Sequence, residues 1–401
     1  MSAPVNVVGI GADGWDGLAR ASRDVVLRAD VLLGGRRHLQ LVPESSAVRE
    51  PWPSPLLPSL PSLFERYAGQ CVVVLASGDP LVSGIATEII ALLGPSQVAV
   101  HPAPSSVSLA RARLGWSAES TDMVTLVGRD PDALRRYLTP GRRLLVLSSD
   151  GSTPAMVAAM LVQEEFGDSR LTVLGDLGSD SESRTEGTAA SWRVASGPAL
   201  NVVCVEVVAG PSTRVLATVP GLPDDAFEHD GQITKRDLRS VALSRLAPAP
   251  GELLWDVGAG AGSVAVEWMR TDPRCRAVAV EAVAGRAERI GRNAHRLGVP
   301  ALDVRLGSAP AALVGLPTPD AVFVGGAATE AGVLETCWER LRPGGRLVAH
   351  AVTRETETVM TTWHDRVGGE LTRVSVEHAE PLGSFTGWRP ARAIVQWAVT
   401  R

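Results

Sequence analysis

Short apolar runs alternate along the whole chain with longer stretches in which apolar residues recur every three or four positions. The runs, bounded by Gly, Pro or Asp, read as strands covered on both faces, and the three-to-four spacing reads as helices packed on them. In the first half, strands are expected at residues 5–11, 31–34, 71–76, 98–100, 124–127, 144–147, 171–174 and 201–208. Helices are expected over 17–29 and from Ser105 towards Leu114. Residues 50–62 hold Pro51, Pro53, Pro55, Pro58 and Pro61, and their expected form is an extended loop. The pattern breaks at Gly210-Pro211-Ser212-Thr213-Arg214, which divides the chain into 1–210 and 211–401. Beyond it, Thr234 with Asp237 three residues on predicts the N-cap of a helix over 238–246. Seven strands follow, at 253–257, 277–280, 303–306, 320–326, 346–352, 371–377 and 391–399, with helices between them and two strands in succession at the end. The fold class is α/β in both halves.

One break in this rhythm carries chemistry. Leu253-Leu254-Trp255-Asp256-Val257 runs into Gly258-Ala259-Gly260-Ala261-Gly262, and a helix starts at Ser263. Glycines between strand and helix let backbone approach a ligand, and the helix start offers free N–H groups. The next strand ends in Glu281, 19 residues after Gly262, where an acid can accept bonds from both hydroxyls of a ribose. A nucleoside site is the expectation. Asp256, one residue short of the first glycine, suits a cationic group such as the ammonium of S-adenosylmethionine.

Composition narrows the remaining classes. At 401 residues, two domains are the prior. A hydrophobic content of 45% with 21% charged residues is that of a globular protein, and no apolar run reaches the ~18–20 residues of a membrane helix. Met1-Ser2-Ala3-Pro4-Val5 shows no basic segment and no apolar leader, so a cytoplasmic location is expected. With net charge −5, no Lys/Arg tract, two Tyr and five Phe, neither nucleic acid nor membrane is an expected partner. Four distant cysteines and seven histidines show no metal-ligand spacing, so no metal is expected.

In the first half, Gly9-Ile10-Gly11-Ala12-Asp13-Gly14, Ser77-Gly78-Asp79-Pro80 and Pro104-Ser105-Ser106 follow strands. With Asp176-Leu177-Gly178 and Pro198-Ala199-Leu200-Asn201-Val202 they resemble the tetrapyrrole (uroporphyrinogen/precorrin) methylase family over residues 5–208. That family often has an aromatic before the glycine that follows Asp-Pro; here the pair is Ser83-Gly84. In the second half, Asp256 and its glycine turn resemble motif I of class I methyltransferases. Ile233-Thr234-Lys235, Val324-Gly325-Gly326 and the stretch 383–390 make the likeness that of the decarboxylating precorrin methyltransferases. Both likenesses, in this order on one chain, resemble the precorrin-6Y C5,15-methyltransferase (decarboxylating) family of cobalamin biosynthesis.

The resemblance implies a two-lobed tetrapyrrole methylase fold followed by a seven-stranded, Rossmann-like class I methyltransferase domain. It implies S-adenosyl-L-methionine as donor, S-adenosyl-L-homocysteine as product, a precorrin as substrate and a homo-oligomer. The first domain would methylate C-5; the second would methylate C-15 and release the ring C acetate carboxyl, giving precorrin-8X. Carried over by motif, Asp13, Gly78, Asp79, Pro80, Ser105, Ser106 and Ala199 would line the first cofactor site. Thr234, Asp256, Gly258, Gly260, Gly262, Glu281 and Ala309 would line the second. Ser105 and Ser106 also suit a plain helix cap. His350, at a strand end, is the candidate proton donor or acceptor, with a structural histidine the equal alternative. An acidic protein with a polycarboxylate substrate needs local cations; Arg37, His38, Arg129, Lys235, Arg236 and Arg389 are the candidates, each equally open to a solvated surface role. The sequence does not separate a metal-free from a cobalt-containing substrate. An NAD-dependent oxidoreductase is disfavoured by Asp256 and Ser77-Gly78-Asp79-Pro80; a non-catalytic nucleotide-binding protein would need no second cleft.

Overall fold

The computed structural model describes residues 4–401, so the reading of the extreme N-terminus lies largely outside the described residues. The chain forms two compact units: residues up to Arg129 with Thr139–Arg214, and Asp130–Leu138 with Val215–Arg401. Among the described residues no helix is long and apolar enough to cross a membrane.

The first unit holds two five-stranded sheets. Strands β1 (Val5–Ile10), β2 (Val31–Gly34), β3 (Val48–Pro51), β4 (Val72–Ser77) and β5 (Val98–His101) pair in the order β3-β2-β4-β1-β5, all parallel. Alternate residues of β4 serve different faces: Val72, Val74 and Ala76 join one apolar cluster, Val73 and Leu75 another. That double burial is why the strand is apolar from Val72 to Ala76. Strands β6 (Asp122–Thr125), β7 (Arg143–Leu147), β8 (Arg170–Gly175), β9 (Ser183–Thr188) and β10 (Asn201–Glu206) form the mixed sheet β6-β7-β10-β8-β9.

The second unit is built on β11 (Leu253–Val257), β12 (Arg276–Glu281), β13 (Asp303–Leu306), β14 (Ala321–Val324), β15 (Arg346–Ala351), β16 (Glu370–Val374) and β19 (Ile394–Thr400). Their order is β13-β12-β11-β14-β15-β19-β16, with β19 antiparallel to both of its neighbours. Trp255, Trp268 and Trp397 are fully buried, and each indole N–H donates to a backbone carbonyl at 3.0–3.1 Å.

Three local expectations need correction. Residues 50–62 are not a loop: β3 ends there and a helix runs Leu56–Arg66 with Pro61 inside it. The proline costs about 3 kcal/mol in a helix interior, but Leu60, Leu63 and Phe64 are buried by that helix, each at roughly 1.5–3 kcal/mol. Burial wins. Thr234 is not an N-cap; the helix Arg236–Leu246 has Lys235 at its cap position with no side-chain bond, which leaves Thr234 in the preceding turn. The polar stretch before the last strand forms a hairpin of its own, β17 (Glu377–Leu382) with β18 (Phe385–Pro390), outside the seven-stranded sheet.

A buried ion pair fixes the entry into the second unit. Arg239, 0% exposed, donates from Nε to Glu267 Oε1 at 2.6 Å and from Nη1 to Asp224 Oδ1 at 3.2 Å. Its remaining N–H groups reach the carbonyls of Thr234 and Leu222, and its guanidinium lies 4.9 Å from the Phe227 ring centre. Glu267 in turn accepts from the backbone N–H groups of Gly221 (2.6 Å) and Leu222 (3.0 Å). Removing one partner of such a pair strands a buried charge. Arg239→Ala is therefore expected to lower the unfolding free energy by about 3–5 kcal/mol in urea titration; a loss under about 1 kcal/mol would contradict this account.

Candidate active site

In the second unit the strand order reverses between β11 and β14, and ligands of open α/β sheets bind outside the carboxyl ends at such a point. Gly258 follows β11 there with φ +69°, and a Cβ on it would lie 2.9 Å from Gly326 Cα. Gly260 has φ +59°, and its Cβ would meet the Gln232 carbonyl oxygen at 2.8 Å. Gly262 is needed for a different reason: its Cβ would lie 2.6 Å from Ile290 Cγ2, and it does not border the cavity. Glu281, buried at the end of β12, accepts from Gly260 N at 2.8 Å and from Val283 N at 3.0 Å, one bond to each oxygen. Each oxygen keeps a further acceptor position.

These groups open a cavity of about 1330 Å³, bordered also by Thr234, Lys235, Arg236, Ala309 and His350. His350 is buried on β15; its Nε2 lies 2.9 Å from Gln396 Oε1, and the Phe323 ring meets it edge-on at 5.1 Å. Burial pushes its pKa below the ordinary value, against the raising effect of the Gln396 bond, so the ring is neutral at pH 7.

Asp256 does not border this cavity. It is 1% exposed; Oδ2 accepts from Ala265 N at 3.0 Å, in the first turn of the helix Ser263–Thr271, and Oδ1 has no partner. Burial lifts its pKa to about 7, with the Ala265 N–H opposing and Glu281 adding. The carboxylate thus braces the turn from behind. Arg389 pairs at 3.0 Å with Glu380, a diagonal neighbour on the facing strand, and borders neither cavity; Arg392, just past the hairpin, borders the larger one instead. Lys235 borders the cavity with its ammonium 3.6 Å from Asp224.

The first unit has a smaller cavity of about 360 Å³ at the ends of β1 and β4. Gly9 lies so close to the next strand's turn that a Cβ would sit 1.8 Å from the Gly78 carbonyl oxygen. Arg37, Gly78, Asp79, Ser105, Ser106 and Ala199 border this cavity, as does Ser83, which takes φ +52°. Asp79 Oδ1 accepts from Leu81 N at 2.9 Å, and Ser105 caps the helix Ser106–Leu114 by accepting from Ser108 N at 3.1 Å. Asp13, Pro80, His38 and Arg129 lie outside it. The Asp13 carboxylate covers Gly17, whose Cβ would lie 1.9 Å from Oδ2; Pro80 is buried behind the turn. His38 cannot serve as the expected cation. Its Nε2 lies 2.9 Å from Ser77 Oγ, its Nδ1 is buried without a partner, and burial together with Arg37 lowers its pKa to about 4.

Residues 4–192 match the family described as tetrapyrrole (corrin/porphyrin) methylases, and residues 225–401 match the precorrin methyltransferase domain family. The chain is 46% identical over 402 residues to a Sinorhizobium protein named precorrin-6Y C(5,15)-methyltransferase [decarboxylating], covering 100% of this chain and 97% of that protein. The chain belongs to the precorrin-6Y C5,15-methyltransferase (decarboxylating) family. A Mycobacterium tuberculosis member is 45% identical over 399 residues, spanning 98% of this chain and 99% of its own. Among solved structures, the C-terminal domain of the Rhodobacter capsulatus member is 47% identical, covers 46% of this chain and 100% of its own, and superposes with a TM-score of 0.44.

In this family member the cavity walls also hold Arg286, Glu330, His378 and Arg392, which the motifs did not single out. Arg286 was within reach of sequence reasoning, one helical turn beyond Glu281; the others depend on how the β17–β18 hairpin and the loop after Gly326 fold back. Among the described residues, Asp130, Asp132 and His295 are close enough to share a metal ion, but they border neither cavity, and His295 Nδ1 already lies 2.9 Å from Asp132 Oδ2.

The raised pKa of Asp256 makes a stability prediction. The folded state holds this proton up to about pH 7, whereas the unfolded state releases it near 3.8, so stability falls as pH rises across that interval. Asp256→Asn removes the slope; its unfolding free energy relative to wild type is expected to grow between pH 5 and pH 8. A difference that stays level over that range would mean Asp256 is not buried with a proton.

Proposed function

We propose that the protein methylates precorrin-6Y at C-5 and C-15 with S-adenosylmethionine and releases the ring C acetate carboxyl as carbon dioxide. The first unit carries the C-5 step, and the second carries the C-15 step with decarboxylation. One observation supports an anionic substrate above all. Arg37 in the first cavity, and Arg236 and Arg392 in the second, have no ion-pair partner among the described residues, whereas arginines such as Arg66, Arg286, Arg292 and Arg342 are paired with carboxylates. Guanidinium groups facing a cavity without a carboxylate are ready to take one from a ligand.

The second cavity fits a nucleoside donor. Gly258 and Gly260 bring the turn's backbone to the cavity wall, packed too closely on Gly326 and Gln232 for a Cβ, and Glu281 keeps acceptor positions for a ribose. Bound there, such a donor supplies an electrophilic methyl on a sulfonium. The chain's own residues then orient the ring in line with it, since the enamine-like meso carbon is already nucleophilic. Arg236, Lys235 and Arg392 would hold the peripheral carboxylates. His350 would handle the proton, and the apolar wall of Val283, Val352, Val376 and Ile394 would disfavour the acetate as a solvated anion.

Equilibrium dialysis with S-adenosylhomocysteine tests the two-cleft reading: two sites per chain are expected, and one or none would overturn it. Gly260→Ala, whose Cβ would push on the Gln232 carbonyl, is expected to weaken one of the two by about tenfold or more, the equivalent of ~1.4 kcal/mol. Turnover of cobalt-free and cobalt-loaded substrate, read as methylation and carbon dioxide release, fixes which ring is used.

A further inference from the structure

We propose that Gln396 is a positioning residue that holds His350 in the tautomer protonated on Nε2, and that Nδ1 of this ring carries one proton from the methylated carbon to the carbon that loses carbon dioxide. This rests on the function proposed for the second cavity. The geometry starts with the sheet. His350 on β15 and Gln396 on β19 face each other directly in the antiparallel register, so their side chains leave the same face side by side. Both are buried, and Nε2 lies 2.9 Å from the carboxamide oxygen. A carboxamide oxygen only accepts, so Nε2 carries the hydrogen and Nδ1 is left with the lone pair. Phe323, edge-on to the imidazole at 5.1 Å and 86°, limits rotation of the ring. His350 borders the cavity, whereas Gln396 does not.

The chemistry needs one such nitrogen. In the methylation, a π pair of the ring forms the new C–CH₃ bond while the S–CH₃ pair returns to sulfur. The meso carbon then gives up its hydrogen as a proton, and the C–H pair restores conjugation. In the decarboxylation, the bond between the methylene carbon and the carboxylate breaks, the pair passes through the conjugated ring, and the methylene carbon gains a proton to become a methyl group. One proton leaves and one is taken up, and the sulfonium and carboxylate charges cancel. A base that accepts the first proton can return it for the second. A neutral, weakly basic imidazole suits both halves, because it starts unprotonated and does not hold the proton strongly.

The other charged or titratable groups on the walls around it are Asp224, Lys235, Arg236, Asp237, Glu281, Arg286, Glu330, His378 and Arg392, and a change at position 396 alters none of them. Gln396→Glu places a carboxylate against Nε2 and stabilises the imidazolium. The acid limb of the pH profile for carbon dioxide release is expected to move up by about one unit or more relative to wild type. Gln396→Leu is expected to lower kcat about tenfold or more at unchanged substrate KM. Nitrogen-15 spectra of the wild-type holoenzyme are expected to show His350 protonated on Nε2. An acid limb at the same pH in a Gln396→Glu protein that still binds S-adenosylhomocysteine overturns the proposal, as does a proton on Nδ1 in the wild type. Wild-type protein that neither methylates nor decarboxylates a precorrin overturns the functional reading itself, a distinct result.

Discussion

Both cavities depend on one constraint, backbone lying against backbone with no room for a side chain at the carboxyl ends of neighbouring parallel strands. In the second unit it is Gly258 against Gly326, and in the first it is Gly9 against the Gly78 carbonyl. The sheets differ in order and in connectivity, yet each makes its opening by the same close approach. Where two strand ends converge on glycine, the following loops diverge and leave N–H groups and a concave floor. Everything polar in the sites is then hung on that floor: Glu281 on the Gly260 amide, Asp79 on its own turn, Ser105 on the helix that follows.

How much of this the sequence carried depends on whether a feature is local. Largely apolar strands such as β4 and β11 declare themselves, because burial on both faces leaves few polar positions. Gly258, Gly260 and Glu281 were legible as a spacing, and the structure brings those three to one cavity wall. Asp256 belongs to the same motif but looks away from the cavity, since alternation along β11 sends it behind the turn, towards Ala265. Non-local features were not legible. The Leu56–Arg66 helix is set by what Leu60, Leu63 and Phe64 touch, which outweighs five prolines in the local pattern. Arg392 rather than Arg389 meets the cavity because β17 and β18 pair as a separate hairpin, a choice made by polar residues with no periodic signal. Residues 130–138 group with the second unit through Arg136, which donates to the Arg270 carbonyl at 3.1 Å and packs on Gly298, contacts made more than 130 positions away in sequence.

An acidic chain binding an acidic ring looks contradictory until charges are assigned to partners. Net charge sets long-range steering, but the local balance decides affinity. Surface arginines such as Arg292 and Arg66 are neutralised by Glu228 and Glu50. Among the described residues Arg37, Arg236 and Arg392 have no such carboxylate, so each cavity keeps uncompensated positive charge on its wall. Lys235 adds a cation whose carboxylate, Asp224, also belongs to the buried Arg239 network. A substrate carboxylate that draws Lys235 away from Asp224 leaves that acid still held by Arg239. The exchange therefore leaves no buried charge alone.

The difference in size between the two cavities agrees with the division of steps proposed for the two units. About 360 Å³ is at the low end for a small-molecule pocket, enough for a donor with the reacting edge of a ring at its mouth. About 1330 Å³ exceeds the roughly 300–1,000 Å³ of a pocket for one ligand. A single methyl transfer needs only the meso carbon in line with the sulfonium. Loss of carbon dioxide from an acetate on the same ring requires a second part of the macrocycle to be inside as well, away from water and near a proton carrier. His350 lies in the larger cavity's wall, and no histidine borders the smaller one. The unit proposed to hold both parts of the ring is thus also the one with an imidazole on its cavity wall.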